Sequence, residues 1–489
     1  NTLSGVIISN NFISVIGTSL GSCRAYGINN TGTTTSIINN SSINVSTASL
    51  GNNTFSRGIY SFAVFSIINN NTNIIVDSQA ANKANLYGIF GSGEVKNNNI
   101  SLNCLAQLGI DTSAGILSNN TSTIQNNSVI TNLITASSDV VAGGISNNGV
   151  SSIISDNTVN VSAISNGNQV PLSWYAIIYG IRCKNSNSMI ANNTISGVYG
   201  SMGKGTSIFE ICGILLDAAP NTTISENIIK NISSNGTIDN RTYVSGIYAL
   251  TGSFNAIIKN NRIFNISLNN NVTGVHPGPG FITGQPIPAN TNGIWIRMSF
   301  NTTLNDYKIY NNHISKLYNS SASTLGGIFG LTLSSRNVNH LVYNNTILIG
   351  DNTNIITGNM TNSFGAAAVG YLNRVASGST DLRNNILYTN VLPIGNGYAA
   401  ALAAIKNHDF DFATAFTAPG QLGIRPPNYN PASNNSLFYA PSVHNRRSYF
   451  YCEGDGFGTE YNHFNIDHNT VVIHDPNINV IPTAGCTSK

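Results

Sequence analysis

The 489-residue sequence predicts an all-β fold, a single-stranded parallel β-helix (solenoid) of about 14 coils with an internal Asn ladder. Three observations carry this expectation. A six-residue pattern, apolar–any–polar–Asn–any–apolar, recurs along nearly the whole chain. A Gly-Ile pair recurs out of phase with it. No window holds a 3.6-residue apolar stripe long enough for a helix, whereas short pieces rich in Ile and Val, bounded by Asn, Ser, Gly and Thr, read as strands.

The pattern first stands at Ile8-Ser9-Asn10-Asn11-Phe12-Ile13. Its fourth position falls at Asn11, Asn40, Asn70, Asn98, Asn127, Asn157, Asn193, Asn227, Asn261, Asn312, Asn345, Asn385 and Asn469, with a weaker copy at Asn435. An apolar residue lies three before each strong anchor, as at Ile8, Ile37, Ile67, Val95, Ile124 and Ile154. The position just before the anchor is freer and holds Asp156, Asn192, Glu226 or His468. A buried turn needs partners for its backbone groups. Asn offers one acceptor and two donors, enough to satisfy the turn and to bond the Asn of the next coil. These asparagines are therefore read as structural.

The Gly-Ile mark stands at Gly27-Ile28, Gly58-Ile59, Gly88-Ile89, Gly115-Ile116, Gly144-Ile145, Gly180-Ile181, Gly213-Ile214, Gly246-Ile247, Gly293-Ile294 and Gly327-Ile328. Each unit thus carries two or three short strands separated by polar turns. Stacking sets every strand beside its copy one coil away at roughly 4.8 Å, and the repeated Ile residues form apolar ladders inside.

The pattern resembles the right-handed parallel β-helix (pectin-lyase-like) family in its secreted or surface form, with its internal Asn ladder and Asn-Asn-Thr-Ile repeats. The resemblance covers about residues 1–400 and again 430–475. It implies the fold. That family spans polysaccharide lyases and hydrolases, phage tailspikes, adhesins and surface proteins without known activity, so it implies no single function.

The repeat divides the chain into a β-helix over 1–400, with loop insertions near 162–180 and 262–292, and irregular final coils with a C-terminal cap over 401–489. The first insertion holds Trp174, a residue suited to stacking on a sugar or filling a seam. The second holds His276-Pro277-Gly278-Pro279-Gly280, which favours an extended arm or flap. Tyr398-Ala399-Ala400-Ala401-Leu402-Ala403-Ala404-Ile405 reads as a short helix or a buried strand.

Only 8% of residues are charged, against about 25% in ordinary soluble domains; Asn, Ser and Thr take the polar role. The net charge of +3, with no basic run, argues against a nucleic-acid partner. No stretch of 18 apolar residues is present to span a membrane as a helix. The chain opens inside a repeat, as a processed or truncated chain does. Asn-X-Ser/Thr triplets place candidate glycosylation sites at Asn29, Asn99, Asn160, Asn231 and Asn265. Of six cysteines, Cys452 and Cys486 form a candidate disulfide, and Cys23, Cys104, Cys183 and Cys212 read equally well as free buried thiols.

A β-helix lyase or glycosidase needs carboxylates converging from neighbouring coils. Here the acids of the repeats stand singly. Asp111, Asp139 and Glu210 precede their Gly-Ile pairs by different offsets, and Asp156 and Glu226 sit at solvent-facing turns. His463, Asp467 and His468 match no strong metal motif and read as a polar turn in a capping segment. No catalytic residue, metal site or cofactor is singled out. The reading is an extracellular or cell-surface structural or adhesive protein, a candidate glycosylated filament subunit. It self-associates through its N-terminal coil, with carbohydrate as a candidate ligand. A polysaccharide lyase or glycoside hydrolase on the same fold is the alternative, and a phage-type tailspike the third.

Overall fold

The computed structural model describes residues 5–32, 34–63, 65–106, 109–135, 140–165, 176–201, 208–236, 241–250, 252–270, 288–320, 325–350, 365–373, 379–389, 398–406, 446–453, 464–467 and 469–473. The chain divides into two compact units, Asn1–Ile238 and Asp239–Lys489.

The first unit is a parallel β-solenoid with three parallel sheets, like a right-handed parallel β-helix. One turn reads Thr34–Ile38, Ser42–Ser49, Thr54–Ser61: a short strand before the Asn corner, a long strand after it, and the Gly-Ile strand. The next turn repeats it with Phe65–Asn69, Ile74–Ala80 and Lys83–Phe90. Registers run straight through, as Ile8↔Ile37, Val45↔Val76 and Ile59↔Ile89 show. The inward columns are buried throughout, from Ile37 and Ile68 to Ile190 and Ile224.

The Asn ladder has one repeating geometry. In Asn157, the backbone N–H and the Nδ2 group both donate to Oδ1 of Asn193, at 3.0 and 2.9 Å. Nδ2 also donates back to the carbonyl of Ile124 at 2.9 Å. Each Oδ1 therefore receives two bonds from the preceding rung, and each Nδ2 ties three turns together. The same arrangement links Asn98 to Asn127 and Asn193 to Asn227.

One rung departs from the expectation. Asn70 lies outside the ladder, and Asn71 takes its place: Asn40 Nδ2 donates to Asn71 Oδ1 at 2.8 Å, and Asn71 Nδ2 to Asn98 Oδ1 at 2.8 Å. Ile67-Ile68-Asn69-Asn70-Asn71 fits the pattern in two registers. Packing selects the one that buries Ile68 and leaves Ile67 43% exposed.

The residue before each rung has a role that the pattern does not state. Asn39, Asn70, Asn97, Asn126, Asp156, Asn192 and Glu226 all adopt φ between 54° and 60°. This is the left-handed region, where Asn and Asp are the best-tolerated side chains after Gly. The corner thus uses Asn twice for unrelated reasons, once for backbone conformation and once for hydrogen bonding.

The Gly-Ile glycines form a column against the long-strand sheet. A Cβ on Gly144 would stand 2.2 Å from Val159 Cγ1 and 2.8 Å from the Gly180 carbonyl, so no side chain fits there. In the second unit the column runs through Gly293 and Gly330, and Gly327 is not in it. Ile294 pairs with Leu331 rather than with Ile328. A further inward column escaped the sequence pattern: Ser122, Ser152 and Ser188, two residues before a buried Ile, cap backbone donors of the preceding turn. Ser122 N–H donates to Ser152 Oγ at 3.1 Å and Ser152 N–H to Ser188 Oγ at 3.2 Å.

The expected count of fourteen coils is not met. The first unit makes about eight turns. The second carries its own rungs, Asn261, Asn312, Asn345, Asn385 and Asn469. Asn385 hands on directly to Asn469, through bonds of 2.9 Å from N–H and Nδ2; the weaker copy at Asn435 lies outside the described residues. Two strands in this unit, Pro288–Tyr310 and Leu325–Tyr343, each run from the Gly-Ile sheet into the short-strand sheet. The Ala-rich run is a strand, Tyr398–Lys406, paired in parallel with Gly365–Asn373 and Arg446–Glu453.

Two substitutions test this corner. Asn157→Ala strips the acceptor from two donors of Asn127 and should lower unfolding stability by about 1–3 kcal/mol. Glu226→Asn puts a tolerant residue at φ 60° and should raise it by roughly 0.5–1 kcal/mol. Equilibrium denaturation of both variants reads the two signs.

Candidate binding surface

The first three turns place an aromatic and cationic patch on the outer face of the Gly-Ile sheet. Tyr26, Arg57 and Tyr87 occupy one outward column, and Asn29, Tyr60 and Phe90 the next. The column glycine between them, Gly58 in the middle strand, breaks the strict alternation and brings Arg57 and Tyr60 to the same side. The Arg57 guanidinium carbon lies 4.3 Å from the Tyr60 ring centre, 5.0 Å from Phe90, 5.5 Å from Tyr87 and 5.6 Å from Tyr26. Its Nε is buried without a hydrogen-bond partner among the described residues. Phe62 is 62% exposed and packs beside Phe90 with ring centres 6.1 Å apart.

Around the corner a groove of about 640 Å³ is lined by Phe65, Glu94, Asn119, Asn120, Thr121, Ser122, Thr123, Asn148, Val150 and Asn185, with Gly93 and Gly149. Phe65 is 73% exposed. The carboxamides are held in a chain: Asn148 Nδ2 donates to Asn119 Oδ1 at 2.8 Å, and Asn185 Nδ2 to the Asn148 carbonyl. Glu94 is paired with Lys96 at 3.2 Å. The lining thus combines exposed apolar groups, Phe65 and Val150, with carboxamides and hydroxyls and one ion-paired acid, a mixture that takes an uncharged ligand with an apolar face.

Of the candidate glycosylation sites, Asn29, Asn99, Asn231 and Asn265 are exposed and Asn160 is half-buried. None of the five is a ladder rung. Cys23, Cys104, Cys183 and Cys212 are free and buried; burial pushes the Cys104 thiol up to about 12. Cys212 is raised well above the ordinary thiol range by burial and by neighbouring Glu210, so it stays protonated and makes a poor nucleophile. Arg182 Nε donates to Asp217 at 3.1 Å, beside buried Tyr179. Of the candidate disulfide, Cys486 and the side chain of Cys452 lie outside the described residues, as do Trp174, the arm at His276, Asp139, His463 and His468. The side chains of Asp111 and Asp467 lie outside them too. Among the described residues no three His, Cys, Asp or Glu side chains gather as a metal site would require.

The second unit buries a histidine. His340 is fully buried, its ring 6.3 Å from that of Tyr307 and its Nδ1 3.4 Å from Thr380 Oγ1. Sequence reading missed it, along with the Arg57 patch and the groove.

No family model matches the chain, and no curated protein or solved structure matches it either.

Burial holds the His340 pKa down at about 3, below the ordinary value near 6.5. Between these values the unfolded chain binds the extra proton, so the contribution is present above pH 6.5 and is lost as pH falls through that window. Unfolding stability should drop by up to about 1.4 kcal/mol per pH unit there. Comparing wild type with His340→Phe by denaturation at several pH values isolates this slope, which the variant should lose.

Proposed function

We propose that this chain is a structural or adhesive β-helix protein of the cell exterior that holds carbohydrate on its outer surface. The groove at Phe65 carries the reading. An exposed ring beside a row of ordered carboxamides matches what a sugar offers, an apolar C–H face and many hydroxyls. The Asn ladder supplies a rigid backing, and the bonds among the outward carboxamides hold them in place beside the ring. Exposed Asn29, Asn99, Asn231 and Asn265 accept glycans without disturbing any rung, which supports an extracellular or surface location. Copies meet through the first turn, where Ile7, Phe12 and Ile16 are 66%, 70% and 77% exposed.

Binding of a panel of neutral and acidic oligosaccharides, measured by calorimetry, tests the reading. Neutral sugars should bind, and Phe65→Ala should weaken them by about tenfold with the melting curve unchanged. Binding unaffected by Phe65→Ala, or no binding at all, would remove the groove as the site. Cleavage of the sugars would move the protein to the enzymatic alternative. Sedimentation across a range of concentrations reads the self-association.

A further inference from the structure

We infer that the Arg57 patch is a docking surface for an acidic segment of a partner protein. It is separate from the groove reading and does not depend on it. Charge complementarity carries the assignment. Residues 5–92 contain three cations, Arg24, Arg57 and Lys83, and one acid, Asp77. Asp77 stands on the long-strand sheet, where its carboxylate accepts from Asn103 Nδ2 at 2.8 Å. Neither Arg24 nor Arg57 has an acidic partner among the described residues. Arg24 lies over the Phe55 ring at 4.9 Å, and Arg57 is walled by rings on several sides. Arg57 Nε is buried without a hydrogen-bond partner among the described residues, while the residue as a whole is only half-buried, which leaves room for a carboxylate to approach the guanidinium edge.

The ring arrangement selects a protein over a sugar. A saccharide platform needs flat, open ring faces. Here Tyr26 and Tyr60 are tilted by 51°, Tyr60 and Phe62 by 66°, and Tyr60 and Phe90 by 39°, and the guanidinium already covers Tyr60. The rings therefore cover one another and present edges and crevices. Clustered Tyr, Phe and Arg of this kind is the composition of protein-interface cores. An Asp or Glu flanked by apolar side chains satisfies both parts, with its carboxylate on the fork and its neighbours against Phe62.

The test uses the full chain and short synthetic peptides with Asp or Glu set among apolar residues. Matched peptides carry Asn or Gln instead, and neutral and acidic oligosaccharides form separate arms. Acidic peptides should bind, weaken steeply with added salt, and lose about tenfold or more in affinity on Arg57→Met. Phe62→Ser, at an exposed position, should weaken them as well, with a melting curve recorded beside it to show that the fold is kept. The amide peptides should not bind. Failure of the acidic peptides to bind wild type, equal binding of amide peptides, or indifference to Phe62→Ser would overturn the proposal. So would acidic oligosaccharides binding in the peptides' place. Loss of neutral-sugar binding on Phe65→Ala, by contrast, speaks only to the groove.

Discussion

The carboxamide oxygen that accepts two hydrogen bonds from the turn before it is the constraint on which the rest of this structure depends. It fixes the axial spacing of the corner, because both the N–H and the Nδ2 of one rung must reach the same atom, at 2.9 and 2.9 Å between Asn127 and Asn157. It also fixes register. A slip of one residue would carry the Asn off the column and turn the Ile three residues upstream away from the core. Burial of both the amide and the apolar column makes the two penalties act together, since a buried donor without an acceptor is costly. At glycines such as Gly144 a Cβ would meet the long-strand sheet, so the two longer sheets close tightly on each other there.

Much of this was legible because a solenoid writes its contacts into its period. Residues one turn apart touch, so a repeated Asn is already a predicted hydrogen bond and a repeated Ile a predicted packing contact. The failures are local to places where the period is ambiguous. Three consecutive asparagines at 69–71 allow two registers, and only the burial of Ile68 over Ile67 decides between them. Gly327-Ile328 copies the dipeptide mark three residues ahead of Gly330, the glycine that stacks. The rung after Asn385 is Asn469, 84 residues on, a spacing that the period does not announce. The preference for Asn before each rung was visible as a pattern, yet its cause is a left-handed φ, which only coordinates show.

The candidate surfaces were illegible for a different reason. Tyr26, Arg57 and Tyr87 each stand just before a Gly-Ile glycine, but that position has no fixed residue type, so the pattern alone does not mark it as a patch. The straight register sets the arginine between two tyrosines in one outward column. The groove likewise draws on Phe65, Asn120, Asn148 and Asn185 from successive turns. In a repeat protein the conserved part of the period reports the fold, and the departures from it report where chemistry differs from turn to turn.

The sparse charge follows from the same stacking. In a parallel in-register sheet the equivalent position of the next turn is about 4.8 Å away. A repeated Lys or Glu would therefore sit beside its own copy, at a cost near 1 kcal/mol for each pair even in water. Neutral amides escape this and gain a bond instead. Three acids are answered by an amide of the neighbouring turn: Asp77 by Asn103, Asp156 by Gln125 and Asp306 by Asn339, at 2.8, 3.1 and 2.9 Å. Arg182 shows the other solution, a cation set one turn from the acid Asp217. Against these rules Arg57 stands out. Its neighbours in the column are Tyr26 and Tyr87, which stabilise a cation by their ring faces without neutralising it. The charge is tolerated by the fold and meets no acid among the described residues, a combination that a solenoid otherwise built of neutral amides has no structural need to keep.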